Sequence, residues 1–422
     1  MRCKSTRGKS PEVSFEEAIF QGLAPDGGLY VPTEFPQIAA QSTQQSLQET
    51  AFDTLSPFLH EELSEAVLRN IITKELSFPI PLVPITPTTY ILELFHGPTR
   101  AFKDIAAQIL PILMEEFLTK KKRKLTILTA TSGDTGGAVA HGFASQMNIS
   151  VIILFPRGKV SRMQRHQLTH VAPNIYPIEV DGSFDDCQAI VKKAFSDPDF
   201  DEKHLTSANS INIGRLLPQM VYYAYATALL QNTEMKLRFV VPSGNMGNIT
   251  AGLYAKKCGI PIDSFLLATN ANDPVVTYFE TGTYHPKDSI ETLSTAMDIG
   301  NPSNFERMKH LFGDNLTSMK QDIAAVSVSD RETIEAIKSV YSKYHYLLDP
   351  HTAVGWHAAQ KNPSSALDII IATAHPSKFA TEIYEATGIK SEELSFTSEW
   401  GERIFPIGPN YLEAKKLILS LL

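Results

Sequence analysis

The chain has 422 residues, 43% of them hydrophobic and 20% charged, with a formal charge of −8 at pH 7. These totals exclude a disordered chain and describe a globular protein too long for one ordinary core. The negative charge argues against nucleic acid or an anionic membrane as the main partner, and no apolar stretch approaches the length needed to span a bilayer.

Taken in chain order, the opening "MRCKSTRGKSPEVSFEEAIF" has charge but no apolar core of a secretory leader. Up to about residue 85, segments such as "SFEEAIFQGL" and "LSEAVLRNIITKEL" repeat apolar residues at spacings of three and four, which predicts a mainly helical N-terminal domain over residues 1–85. The Pro-rich "FPIPLVPITPTT" then breaks all periodicity and marks a boundary. Over residues 86–422, short apolar runs ("KLTILTA", "ISVIILF", "NIYPIEV", "LRFVVP", "SFLLAT", "LDIIIAT") alternate with helical stretches. None alternates strictly with polar residues, so the strands are expected in a mostly parallel α/β sheet covered on both faces. The basic run Lys120 to Lys124 reads as a solvated turn, and residues 280–330 carry too weak a pattern to assign. Cys3, Cys187 and Cys258 are odd in number and far apart, which implies neither a disulfide framework nor a metal cluster and fits a reducing cytoplasm.

In such sheets, ligands bind beyond the carboxyl ends of strands. Three segments reach that place. "TILTATSGDTGGAVAHGF" passes from strand to helix through Ser132, Gly133, Asp134 and Thr135, where backbone N–H groups and hydroxyls suit an anion such as a carboxylate. "FVVPSGNMGNITAGLYAKK" does the same through Gly244, Asn245, Met246, Gly247 and Asn248, a nest suited to a phosphate. It lacks the Gly-Lys-Ser/Thr of a nucleotide loop and the third glycine of a dinucleotide fingerprint, so a phosphate without a nucleotide is expected. "IIIATAHPSKF" offers the Thr373 hydroxyl and the Lys378 charge. Singly, each has a plain structural reading: a well-capped turn, an ordinary loop, a helix cap.

"HGPTRAFKDIAAQ" adds Lys103, a lysine between Phe102 and an apolar helix, where desolvation favours the neutral, nucleophilic amine. An exposed lysine at a helix start is the bland alternative. A candidate amine, a phosphate nest and an anion turn in one α/β core are together what pyridoxal phosphate requires.

With these residues in hand, the chain closely resembles the threonine synthases, fold-type II pyridoxal-phosphate enzymes. The resemblance runs through "STRG", "LAPDGGLYVP", "HGPTRAFKD", "TATSGDTGGAVA", "NSINIGRLLPQ", "VPSGNMGN", "DPHTAVG" and "TAHPSKF". It implies two doubly wound, mostly parallel α/β subdomains behind the N-terminal domain, with Lys103 as the lysine linked to the cofactor. Gly244 to Asn248 would hold the cofactor phosphate and Thr373 the pyridine nitrogen. The family's substrate is O-phospho-L-homoserine, which is converted with water to L-threonine and phosphate. Asn209 and Arg215 would contact its phosphate, Ser132 to Thr135 its carboxylate, and Lys378 would add positive charge. No metal is implied, and a cytoplasmic monomer or weak homodimer is expected.

Met246, Asn248 and Asp349 depart from residues common in the family, where Phe, Asp and Glu stand. The rival readings are a dehydratase of the same fold type, which needs no second phosphate site, and a relative that binds without turnover. "NSINIGRLLPQ" and the N-terminal part count against the first, and intact Lys103 and Arg215 against the second.

Overall fold

The computed structural model describes residues 1–39, 42–131, 133–144, 146–392 and 398–422. Near the N-terminus, β1 (Arg2–Ser5), β2 (Val13–Ser14) and β3 (Tyr30–Pro32) form an antiparallel sheet in the order β2-β1-β3. Both expected helices are present, at Phe15–Gln21 and Glu65–Glu75, and a third spans Leu47–Leu59. The small sheet is an addition to the expected helical unit, because strands this short cannot show an alternating pattern.

Downstream come β4 (Leu82–Thr86), β5 (Thr89–Glu93), β6 (Leu125–Ala130), β7 (Ile149–Pro156), β8 (Ile175–Val180), β9 (Leu205–Thr206) and β10 (Leu237–Pro242). They are followed by β11 (Ser264–Thr269), β12 (Ile323–Ser327), β13 (Leu367–Ala372) and β14 (Phe405–Ile407). These build two sheets, ordered β12-β11-β10-β13-β5-β4 and β14-β8-β7-β6-β9. Every pairing is parallel except that of β4 with β5. β6, β10 and β13 are buried at every position, which accounts for mainly apolar runs that lack a strict polar alternation. β4 lies inside the Pro-rich stretch: Pro84 is tolerated because β4 is an edge strand with a register shift after Pro84. The larger sheet therefore begins before residue 86. No helix among the described residues is long and apolar enough to cross a membrane.

The order of the larger sheet places β10, β13 and β5 side by side, so the segments beyond their carboxyl ends emerge together. These are the Ser243–Asn248 loop, Thr373 and the connection to Lys103. Main-chain bonds lace the last two: Leu94 N–H donates to Ala372 O (3.0 Å), Phe102 N–H to Thr373 O (2.8 Å) and His375 N–H to Arg100 O (3.1 Å).

At the opposite end of the same strands, Arg238 and Asp368 face each other in register and form a bidentate pair (Nε–Oδ1 2.6 Å, Nη2–Oδ2 2.9 Å). Their side chains are only 5% and 12% exposed. Arg238→Met should strand a buried carboxylate and destabilise the protein by about 3 kcal/mol. Adding Asp368→Leu should recover most of that loss, since an apolar pair needs no compensation. Comparing unfolding midpoints checks this, and a single variant within about 0.5 kcal/mol of wild type would refute the strut.

Candidate active site

Lys103 is the residue from which the Asp104–Lys121 helix starts, and it gives that helix no side-chain cap. The loop before it is drawn tight by Asp104, which is fully buried and accepts the Thr99 N–H (2.8 Å) and hydroxyl (2.6 Å). Gly97 is required here, because a Cβ on it would lie 2.6 Å from Asp104 Oδ2. The Lys103 side chain is 16% exposed, with Nζ 3.6 Å from Asp134 Oδ2 and 4.7 Å from the centroid of the Phe102 ring. Burial pushes its ammonium below the usual lysine range, against the attraction of Asp134.

Asp134 comes from the second sheet, at the turn between β6 and the Asp134–Gly142 helix. Thr131 Oγ1 takes the Gly133 and Gly136 N–H groups (3.0 and 2.8 Å), leaving those of Asp134 and Thr135 without an acceptor among the described residues. Gly133 sits at φ 134° with Gln164 where its Cβ would be, so no other residue fits. Ser132 lies outside the described residues. The carboxylate of Asp134 is itself engaged: Oδ1 accepts from Lys378 Nζ (2.7 Å) and Gln164 Nε2 (3.1 Å). Burial opposes its ionisation, but the Lys378 and Lys103 ammoniums hold it well below the usual carboxylate range. What this turn offers a ligand is its N–H groups.

Lys378 departs from expectation. Its side chain is fully buried, and Nζ donates to Asp134 Oδ1, Thr99 O (2.9 Å) and Gln167 Oε1 (3.3 Å). Three acceptors exhaust an ammonium's three protons, so Lys378 has no donor left for a substrate phosphate.

The nest after β10 has the form expected of an anion cradle. Met246, at φ 60°, begins the Gly247–Lys257 helix without a side-chain cap, whereas the helices starting after Ser14, Ser46, Ser161, Ser183 and Ser329 carry capping boxes. The N–H groups of Gly244 to Asn248 meet no acceptor among the described residues, and the buried Ser243 Oγ is without a partner. Orphan donors at a buried helix start fit a phosphate dianion. Gly244 is fixed by the Met297 Cα, 2.7 Å from where its Cβ would be. The Asn245 side chain donates to Ser210 Oγ and accepts the Ser303 N–H, both at 2.6 Å. Asn248 Oδ1 takes the hydroxyls of Tyr222 and Tyr223 (2.6 and 2.7 Å), which anchors the loop, while its buried Nδ2 has no partner among the described residues. The Thr373 hydroxyl makes no hydrogen bond among the described residues and is available to a ring nitrogen.

Asn209 spans to the end of β6, accepting from Thr129 Oγ1 and donating to Ala130 O (3.3 Å). Arg215 is 3% exposed and forms no ion pair among the described residues, although the buried Asp104 carboxylate attracts it from farther off. Its Nη1 donates to Ala208 O (2.7 Å), and its Nε has no partner. Burial brings its guanidinium down to about 10, so it stays charged at neutral pH. Arg307, also fully buried, shows the contrast: Tyr30 O, Ser210 O, Asn304 Oδ1 and Ile211 O accept its protons, and it is a structural clamp. Sequence reasoning missed Thr99, Gln164, Gln167 and Arg307; the two glutamines, three apart in "SRMQRHQLTH", are polar side chains buried on a short helix and belong to no motif.

A desolvated lysine, a free hydroxyl and an uncapped helix start on neighbouring strand ends define a lysine-dependent pyridoxal-phosphate enzyme of the α/β class. The model of the family "Pyridoxal-phosphate dependent enzyme" matches residues 79–368, and the cofactor is pyridoxal phosphate. Residues 2–76 match the threonine synthase N terminus and 352–404 the threonine synthase C-terminal model. A threonine synthase of Buchnera aphidicola is 39% identical over 96% of this chain and 95% of its own. The pyridoxal-phosphate-bound threonine synthase of Brucella melitensis superposes with a TM-score of 0.94 at 35% identity, covering 100% of this chain and 99% of its own. For the Escherichia coli threonine synthase structure the values are 0.91 and 34%, with 100% of both chains covered. The chain belongs to the threonine synthase family and is a pyridoxal-phosphate-dependent lyase that forms threonine.

Proposed function

We propose that the substrate is O-phospho-L-homoserine, converted with water to L-threonine and inorganic phosphate. The observation that carries this reading is Arg215, a buried guanidinium with an unmatched Nε and no carboxylate within ion-pair distance among the described residues, close enough to Lys103 for its charge to be felt there. A buried cation of this kind needs an anion, and a second phosphate supplies one.

Gly244 to Asn248 and Ser243 Oγ would hold the cofactor phosphate, and Thr373 Oγ1 would serve the ring nitrogen. When bound, pyridoxal phosphate supplies an aldehyde for amines and a ring that accepts electrons from the bond broken beside it. The N–H groups of Asp134 and Thr135 orient the substrate carboxylate. Lys103 Nζ, poised toward its neutral form, takes the α proton. Arg215 stabilises the phosphate that leaves the γ carbon, which ends as a methyl group, while water contributes the β hydroxyl.

The test is to supply O-phospho-L-homoserine and assay both products. Equimolar phosphate and threonine are expected; ammonia and a 2-oxo acid without threonine would reject the reading in favour of a dehydratase. The same reading assigns residues 1–85 to an accessory domain and 86–422 to the catalytic core. It places the enzyme in the cytoplasm, where its buried free cysteines fit reducing conditions, as a monomer or weak homodimer that sedimentation at several concentrations will distinguish.

Thr373→Asp should exchange a neutral partner of the ring nitrogen for one that keeps the ring protonated. The absorbance of the bound cofactor should change, and product partition should move from threonine toward products of early α-proton loss. An unaltered spectrum and product ratio would remove Thr373 from this role.

A further inference from the structure

Lys378 and Asp134 lie beside the reacting amine yet are turned toward each other. Asp134 is 3% exposed and Lys378 2%, and they come from different sheets: the start of the helix after β6 and the short helical turn Pro376–Phe379 after β13. One carboxylate serves two ammoniums, Oδ1 meeting Lys378 at 2.7 Å and Oδ2 meeting Lys103 at 3.6 Å. Thr99 O, Gln167 Oε1 and Gln164 Nε2 complete the cluster and fix both partners. The other charged groups facing it are Arg215, Asp104 beneath the Lys103 turn, and His141 on the Asp134–Gly142 helix.

We propose that Asp134 and Lys378 are a pair of positioning residues for Lys103: Asp134 tethers the free amine in the crevice, and Lys378 offsets part of that carboxylate's attraction so that the amine is not locked as an ammonium. This rests on Lys103 being the reacting lysine, but the two assignments fail differently. The physical basis is that a buried carboxylate alone would favour the charged lysine strongly, and a second ammonium on the same carboxylate opposes it. The loose contact of 3.6 Å against 2.7 Å agrees, since the tighter bond goes to the lysine that never reacts. The amine is then held within reach of the crevice and free to release or take a proton.

The predicted signature is a pair of opposite shifts. In full-length protein freed of cofactor, amines are acetylated with limiting acetic anhydride across neutral to alkaline pH and the modified lysines mapped by mass spectrometry. Asp134→Asn should move the midpoint of Lys103 acetylation down by about 1 to 3 pH units, and Lys378→Met should move it up by a similar amount. In holoenzyme, the acidic limb of the kcat profile should move in the same two directions. The double variant Asp134→Asn/Lys378→Met removes both charges and should fall between the single variants. Wild-type Lys378, with every proton engaged, should resist acetylation where Lys103 is modified.

A merely structural role would lower yield or stability without opposite shifts. Shifts of the same sign, no shift, or Lys378 reacting alongside Lys103 would overturn the proposal. If a single variant does not fold, the wild-type Lys378 protection and the double variant still decide: an exposed Lys378, or a double variant whose midpoint lies beyond that of the surviving single variant, is fatal to it. Absence of any modification at Lys103, in contrast, would remove the reacting lysine itself.

Discussion

Replacing Lys103 with alanine should lower turnover of O-phospho-L-homoserine by at least about 10²- to 10⁴-fold, the contribution of a positioned general base alone, and further because the same amine is proposed to anchor the cofactor covalently. Lys103 starts the helix Asp104–Lys121, with its side chain free of capping duty, so the change removes chemistry and leaves the helix intact. The loop Gly244 to Asn248, proposed to hold the cofactor phosphate, follows a different strand, so pyridoxal phosphate should still bind, reversibly. Borohydride treatment of wild-type holoenzyme followed by peptide mapping should place the pyridoxyl group on Lys103. In the variant, the cofactor should dialyse away and leave no label. A label on another lysine, or turnover within tenfold of wild type, would remove Lys103 from both roles.

Arg215→Ala should separate the two phosphate sites. Cofactor content and spectrum should stay near wild type, because the nest relies on backbone donors. Turnover should fall by about 30- to 1,000-fold, corresponding to about 2 to 4 kcal/mol for a charge-assisted contact that strengthens as the phosphate leaves. Truncation also relieves a buried guanidinium whose Nε has no partner, so the fold should not suffer in proportion. Phosphate release and pyridoxal phosphate content, measured on one preparation, check both halves. Loss of cofactor would place Arg215 at the wrong phosphate, and unchanged turnover would leave the leaving group without its proposed cation.

Asn248 and Lys378 show where reading by motif stops. Both stand in segments that the sequence places at the strand ends, and both segments are there. Within them, the Asn248 side chain turns to Tyr222 and Tyr223, 26 and 25 residues earlier, and Lys378 to Thr99, 279 residues away. A motif fixes where the backbone of a turn goes. Which way a side chain faces depends on acceptors brought from distant segments.

By itself, the sequence determined the parallel α/β core, since strands buried on both faces read as mainly apolar runs without strict polar alternation, and it placed three candidate ligand segments, those of Asp134, Gly244 to Asn248 and Thr373, at strand ends. It made Lys103 a candidate amine through its place between Phe102 and an apolar helix, while its expected role as the reacting lysine came from the family resemblance. The tertiary structure alone decided the N-terminal sheet, the edge strand through Pro84 and β12, whose short or proline-broken segments carry no periodicity of their own and are stabilised only by pairing. It alone decided that Lys378 is tied to Asp134 while Arg215 Nε has no partner among the described residues, because the charge state and direction of a buried group follow from the partners that folding packs against it.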